Sequence, residues 1–208
     1  MNYPTETRLF QNHLQLKVPI FDLVKPIYEK TLLQDPTTPP PHWTKIWDAS
    51  ISLSEYLLDH LELIKNKNVL EVGAGIGLPS FSIASHAKTI TITDYSSEAI
   101  ALANENIHDL QLQNAFASLL DWQATFQKIN CDVILMSDIN YDAAEFTALI
   151  TFMNAYLENN CTIIIATPNR IISSPFIQHF NSFIKQSHSV HIQSNHSASE
   201  IGIFILQA

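Results

Sequence analysis

Apolar residues recur along this chain with two different periods, and the places where the period changes mark its elements. Short runs rich in Val, Ile and Leu at residues 69–72, 89–93, 132–136 and 162–166 predict buried strands, with a weaker one over 115–119. Between them, helical spacing predicts helices over 78–85, 97–106, 143–157 and 175–184, the second capped by Ser96 or Ser97. Upstream, Ile46, Ala49, Leu53, Tyr56, Leu57 and Leu61 fall on one face of a helix over 46–63. Strands over 190–193 and 201–206, separated by a polar Ser/Asn/His stretch, predict a closing hairpin. Strand and helix alternate from residue 68 onward, which implies an α/β domain with a doubly wound, mainly parallel seven-strand sheet. The closing hairpin makes its C-terminal edge antiparallel.

The first 40 residues lack this order. Leu14, Leu16 and Val18 alternate as a short strand, and Pro19 and Pro26 interrupt the pattern beyond it. Asp35 to Pro41 then forms a stiff, extended connector, because each proline fixes its own backbone and restrains its neighbour. Residues 1–42 therefore read as an extension with a Pro-rich connector, and 43–208 as the folded domain.

Composition narrows the class. The net charge of −9 argues against a nucleic-acid partner, which needs a basic face. The N-terminus has no basic-then-apolar leader, and no apolar run reaches the roughly 20 residues that span a bilayer, so a cytoplasmic protein without a membrane partner is expected. Cys131 and Cys161 each precede a strand, outside any metal-type spacing, and read as free thiols. His188 and His191 fall on opposite faces of a strand, which argues against a shared metal; with His196 they read as a solvated edge.

The chemistry concentrates in one loop. Gly73, Gly75 and Gly77 are three of the four glycines in the chain, and they directly follow an apolar strand and precede a helix. Glycine lets the main chain approach a ligand closely. Leu78 stands where a dinucleotide-binding loop has its third glycine, so this loop is Gly-x-Gly-x-Gly. Glu71 lies two residues before the first glycine. Asp94 ends the next strand about 20 residues on, where a carboxylate can accept both ribose hydroxyls of a nucleoside.

With these residues in hand, the chain resembles the class I S-adenosylmethionine methyltransferases, and within them the seven-strand protein-lysine branch. The resemblance covers roughly residues 43 to 170. It rests on Trp43-Thr44-Lys45-Ile46-Trp47-Asp48-Ala49, on Glu71 to Leu78, on Asp94, on Leu120-Asp121-Trp122 and on Ser137-Asp138-Ile139-Asn140-Tyr141. The last is similar to that branch's Asp-x-x-Tyr signature and has no proline between Asp138 and Tyr141. Arg170 also resembles a family position, less distinctly.

The resemblance implies a Rossmann-like fold, S-adenosylmethionine as cofactor and a protein lysine as acceptor. It implies cofactor contacts from Trp47, Glu71, Gly73, Ala74, Gly75, Gly77, Asp94, Tyr95, Asp121, Trp122 and Ser137, with Asp138 and Tyr141 at the acceptor. On the residues alone, Trp122 can be core, Asp121 a turn cap, and Glu71 a support for the glycine loop. A carboxylate stabilises an ammonium, so Asp138 is read as a grip that aims the acceptor amine rather than as a strong base. Two other readings remain open: a small amine or heteroaromatic nitrogen as acceptor, with the first 40 residues as a lid, and a non-catalytic scaffold.

Overall fold

The computed structural model describes residues 3–124, 128–170, 173–194 and 197–208. A hairpin of β1 (Thr5–Leu9) and β2 (Gln15–Pro19) opens the chain, followed by α1 (Phe21–Leu32) and α2 (Asp48–Asp59). The alternating part comprises β3 (Asn68–Val72), α3 (Leu78–Ile83), β4 (Thr89–Asp94), α4 (Ser97–Asp109), β5 (Ala115–Leu119), β6 (Val133–Ser137), α5 (Phe146–Leu157) and β7 (Thr162–Pro168). Then come α6 (Ser173–His179), β8 (Ile184–Ser194) and β9 (Ser197–Leu206).

The large sheet has seven strands in the order β5-β4-β3-β6-β7-β9-β8. β3 to β7 run parallel, while β9 is antiparallel to both β7 and β8. The chain winds outward from β3 through β4 to β5, then returns to start again at β6 beside β3. Ligands of open α/β sheets bind at that reversal, beyond the C-terminal ends of the strands.

Strand periodicity divides the interior between the two faces of the sheet. Val69, Val133, Leu135 and Ile164 point to a core shared with Leu53 and Leu57 of α2, Phe81 and Ile83 of α3 and Ala103 of α4. Leu70, Val72, Ile134, Met136, Ile163 and Ile165 point to a second core, shared with Phe152, Met153 and Tyr156 of α5 and Phe176 of α6. Both faces are covered, as near-continuous apolar strands require.

The N-terminal part departs from the sequence reading. The hairpin belongs to the core: Leu16 and Val18 are fully buried in the α2-side cluster. The side chain of Asn106 on α4, itself buried, replaces a strand partner for β2, accepting from Lys17 N at 2.8 Å and donating to Lys17 O at 3.0 Å. Pro26 does not break the chain but sits inside α1. Its locked φ suits a helix and it forfeits one backbone bond in an element that buries little besides Val24. The helix expected over 46–63 starts at Asp48 and ends at Asp59, with a 3-10 turn over Leu61–Leu63. The helix expected over 175–184 ends at His179, because Ile184 pairs with Leu206 of β9 instead.

Cys131 and Cys161 are free, with their sulfurs 3.7 Å apart. Ser96 caps α4, its hydroxyl accepting from Ala99 N at 3.3 Å. His188 packs its ring beside Tyr56, centroids 4.9 Å apart, and His196 lies outside the described residues. Among the described residues no helix is long and apolar enough to cross a membrane.

Candidate functional site

The three glycines of the loop after β3 all have left-handed backbones, with φ of 62°, 55° and 78°. At Gly73 a Cβ would stand 2.8 Å from Ile139 Cγ2 and 3.5 Å from the Trp122 ring. At Gly75 it would meet the backbone oxygen of Trp43 at 3.3 Å. The loop is therefore squeezed between the end of β6 and the segment before α2, and both angle and space exclude a side chain.

Asp94, at the end of β4, fixes this loop from the other side. Its Oδ2 accepts from Gly75 N at 2.8 Å, and its Oδ1 accepts from Ser96 N at 2.9 Å. Burial pushes its carboxyl above the ordinary range, and these backbone donors pull it back down. Each oxygen keeps a lone pair for a further donor.

A cavity of about 280 Å³ lies over the C-terminal ends of β3, β4 and β6. Trp47, Gly73, Ala74, Gly75, Gly77, Asp94, Tyr95, Trp122, Ser137, Asp138 and Tyr141 line it, eleven of the thirteen residues expected at the site. Asp121 does not; its exposed carboxylate accepts from Gln123 N at 2.8 Å and closes a turn. Trp43 both lines the cavity and packs edge-on to Tyr3, centroids 5.9 Å apart. His42 lines the cavity without any motif to announce it, and Lys45, which lies in the Trp43–Ala49 stretch but is not among the residues expected at the site, lines it too. Apolar walls, a glycine floor that no Cβ could share, and a carboxylate at the end of the second strand suit an adenosine-bearing cofactor.

Glu71 is fully buried and does not line this cavity. Its Oε2 accepts from Ser80 N at 3.0 Å, the third residue of α3. Gly77 precedes α3 without a side chain to cap it, so the carboxylate of the preceding strand satisfies that free donor. Burial raises the Glu71 pKa to about 7. Of the two uses left open for Glu71 by the sequence, support of the loop is the one this geometry provides.

At the end of β6 the backbone turns through a left-handed residue, Asp138, with φ of 52°. Its amide still donates to Ala166 O on β7 at 2.9 Å, so the side chain is aimed by the sheet itself. Arg170, just past β7, donates Nη1 to Oδ1 at 2.8 Å and Nη2 to Oδ2 at 3.0 Å. Burial pushes the Asp138 carboxyl up while the Arg170 guanidinium pulls it down. Tyr141 sits edge-on to His42, centroids 5.6 Å apart, and burial pushes its hydroxyl up to about 12. Trp47 is anchored by its Nε1, which donates to His42 O at 3.1 Å.

A second groove, of about 350 Å³, opens beside the first and shares Lys45, Trp47, Asp138 and Arg170 with it. Asp48, Asn169, Ser199 and Glu200 supply its far wall. Among the described residues, none before His42 lines either of these spaces.

This arrangement has recognisable relatives. A histidine protein methyltransferase 1 homolog of Dictyostelium discoideum is 30% identical over 122 residues, 56% of this chain and 40% of the relative. A protein N-terminal and lysine N-methyltransferase, EFM7, of Cryptococcus neoformans is 26% identical over 157 residues, 68% of this chain and 52% of the relative. The chain thus spans about half the length of these curated relatives. Among solved structures, the N-methyltransferase NodS of Bradyrhizobium japonicum in complex with S-adenosyl-L-homocysteine superposes with a TM-score of 0.63 at 16% identity, covering 86% of this chain and 98% of that one. That likeness is one of fold. The model of the family described as lysine methyltransferase matches residues 41–186, a span that contains every residue lining the glycine-loop cavity, and the chain belongs to that family.

Proposed function

We propose that this chain transfers a methyl group from S-adenosylmethionine to a lysine side chain of a protein. The observation that carries the reading is the meeting, at Asp138, of a glycine-floored cavity and an open groove lined by charged residues. S-adenosylmethionine supplies an electrophilic methyl on a sulfonium, so the protein has only to place and tune the acceptor. Asp94 would accept the ribose hydroxyls, and Trp122 and Ile139 would enclose the adenine. Trp47 would border the methionine end.

Asp138 and Tyr141 would receive the acceptor nitrogen. With Arg170 on both its oxygens, Asp138 is a neutralised carboxylate that orients an amine and draws little charge onto it. This favours the unprotonated amine that the displacement needs. The Tyr141 hydroxyl keeps its proton at working pH and can donate.

A small-molecule acceptor would call for a lid, and the first 40 residues are the candidate. They form a hairpin held on α4 and a helix, and line neither space among the described residues. An open groove fits a protein segment better. The names of the relatives include protein lysine, N-terminal and histidine methyltransferases, which agrees with a protein nitrogen as acceptor.

The test is calorimetric titration with S-adenosylmethionine and, separately, NAD, followed by a tritiated-methyl screen of cell lysate. Saturable binding of the first alone, with label on lysines of a discrete protein band, supports the reading. Label confined to small molecules, or no cofactor binding by folded protein, overturns it.

A further inference from the structure

Two spaces meet at the ends of β6 and β7, and the residues common to both mark where a methyl must leave one and enter the other. They are Lys45, Trp47, Asp138 and Arg170. Only one of these four side chains offers a nitrogen that becomes a good nucleophile on losing a proton. The Trp47 indole nitrogen donates to His42 O and has no free pair to give. Arg170 keeps its charge and is forked onto Asp138. Lys45 is the exception.

We propose that Lys45 is a self-methylation site of this protein. The inference rests on the methyltransferase reading above. Lys45 Nζ lies 4.3 Å from the centroid of the Trp47 ring. Among the described residues it joins no ion pair within 4 Å; its one close contact is the Trp47 face, with the Asp138 carboxylate acting on it at longer range. Such a contact at an exposed site is a light tether that a rotamer change releases. Lys45 is also extended backbone directly after the 3-10 turn His42–Thr44 and two residues before Trp47, so its stem springs from the wall of the junction. A nucleophile attached there needs no encounter step, which is the main advantage of an intramolecular acceptor.

In the reaction the Nζ lone pair forms a bond to the methyl carbon as the carbon–sulfur bond breaks. The electron pair of that bond stays on sulfur, leaving S-adenosylhomocysteine, and the proton that Nζ must shed passes to water. Methylated Lys45 remains cationic and is bulkier, so it narrows the passage between cavity and groove. An incoming protein lysine would compete with Lys45 for the same place, and the modification would build up when acceptor is scarce.

Purified protein is incubated with S-adenosylmethionine carrying a deuterated methyl, digested, and its lysine peptides are weighed. The expected result is label on Lys45, absent in Lys45→Arg, with a labelled fraction that does not change on tenfold dilution of the protein. A second readout needs no turnover. Acylation of lysines by N-hydroxysuccinimidyl acetate is compared with and without S-adenosylhomocysteine, and Lys45 should lose reactivity several-fold while Lys25 and Lys65 keep theirs. Label on other lysines with Lys45 clean, or Lys45 acylation indifferent to S-adenosylhomocysteine, overturns the proposal and leaves the acceptor reading standing. Failure to bind the cofactor at all overturns both.

Discussion

Arg170 and Asp138, which stand 32 positions apart in sequence, are joined by two parallel hydrogen bonds of 2.8 and 3.0 Å just beyond the C-terminal ends of β6 and β7. The Asp138 side chain is 6% exposed and that of Arg170 40%. The two partners therefore lose different things when the other is removed. Asp138→Ala leaves a guanidinium that is already 40% exposed, whereas Arg170→Ala strands a buried carboxylate.

Asp138→Ala should abolish methyl transfer while cofactor affinity falls only modestly. Arg170→Ala should cost about 1–3 kcal/mol of stability, less than a fully buried pair because Arg170 is wet. Urea unfolding and calorimetry on both variants check this; equal stability losses would contradict the asymmetry.

Asp94→Ala should lose cofactor first. It removes a charged acceptor for two hydroxyls and releases Gly75 N and Ser96 N. At roughly 1.5–3 kcal/mol for each hydrogen bond to a charged group, affinity for S-adenosylhomocysteine should fall by about 100-fold or more. Titration calorimetry reads this directly, and a tenfold loss or less would remove Asp94 from the ribose.

Gly73→Ala meets both a left-handed backbone and Ile139 Cγ2 at 2.8 Å. The backbone alone should cost about 1–2 kcal/mol. Combining it with Ile139→Ala should recover cofactor affinity in part but not the backbone cost. If the second substitution restores stability fully, the angle is not what demands glycine.

Glu71 gives the fold a pH dependence of known sign. Its carboxyl rises from 4.5 to about 7 on folding, so between those values the native chain holds a proton that the unfolded chain has lost. The associated stability is complete below pH 4.5 and drains away as pH rises through 7. The full effect is about 3 kcal/mol. Glu71→Gln should flatten the curve of unfolding free energy between pH 5 and 8 relative to the natural chain. Asp94, also raised by burial, is present in both proteins, and its charge is the smallest of the causes that set the Glu71 shift. Superimposable curves would refute the assignment.

The parts legible in the sequence are those written locally. Buried parallel strands such as Ile163–Ile165 announce themselves because both faces are apolar, and the glycine loop because only it concentrates glycine. β1 is invisible there, since all five of its residues are exposed and no alternation marks them. β8 begins earlier than its apolar residues suggest because an edge strand tolerates the polar run from Lys185 to Ser189. The pairing of Arg170 with Asp138 arises from the register that sets Ser137 beside Ala166, and no spacing along the chain encodes it. His42, directly after the connector, reaches the cavity by its path, which composition describes as stiff without saying where it leads.

The clasp between Lys17 and Asn106 has a mechanical consequence. The passage from α1 to α2 carries His42, Lys45 and Trp47; upstream, beyond α1, β2 is clasped to α4, and downstream α2 packs on the sheet. A span fixed at both ends transmits load. Loosening the hairpin, by Asn106→Ala for instance, would slacken the cavity wall that Trp43 shares with Tyr3, so a residue that touches no ligand would set how tautly that wall is held.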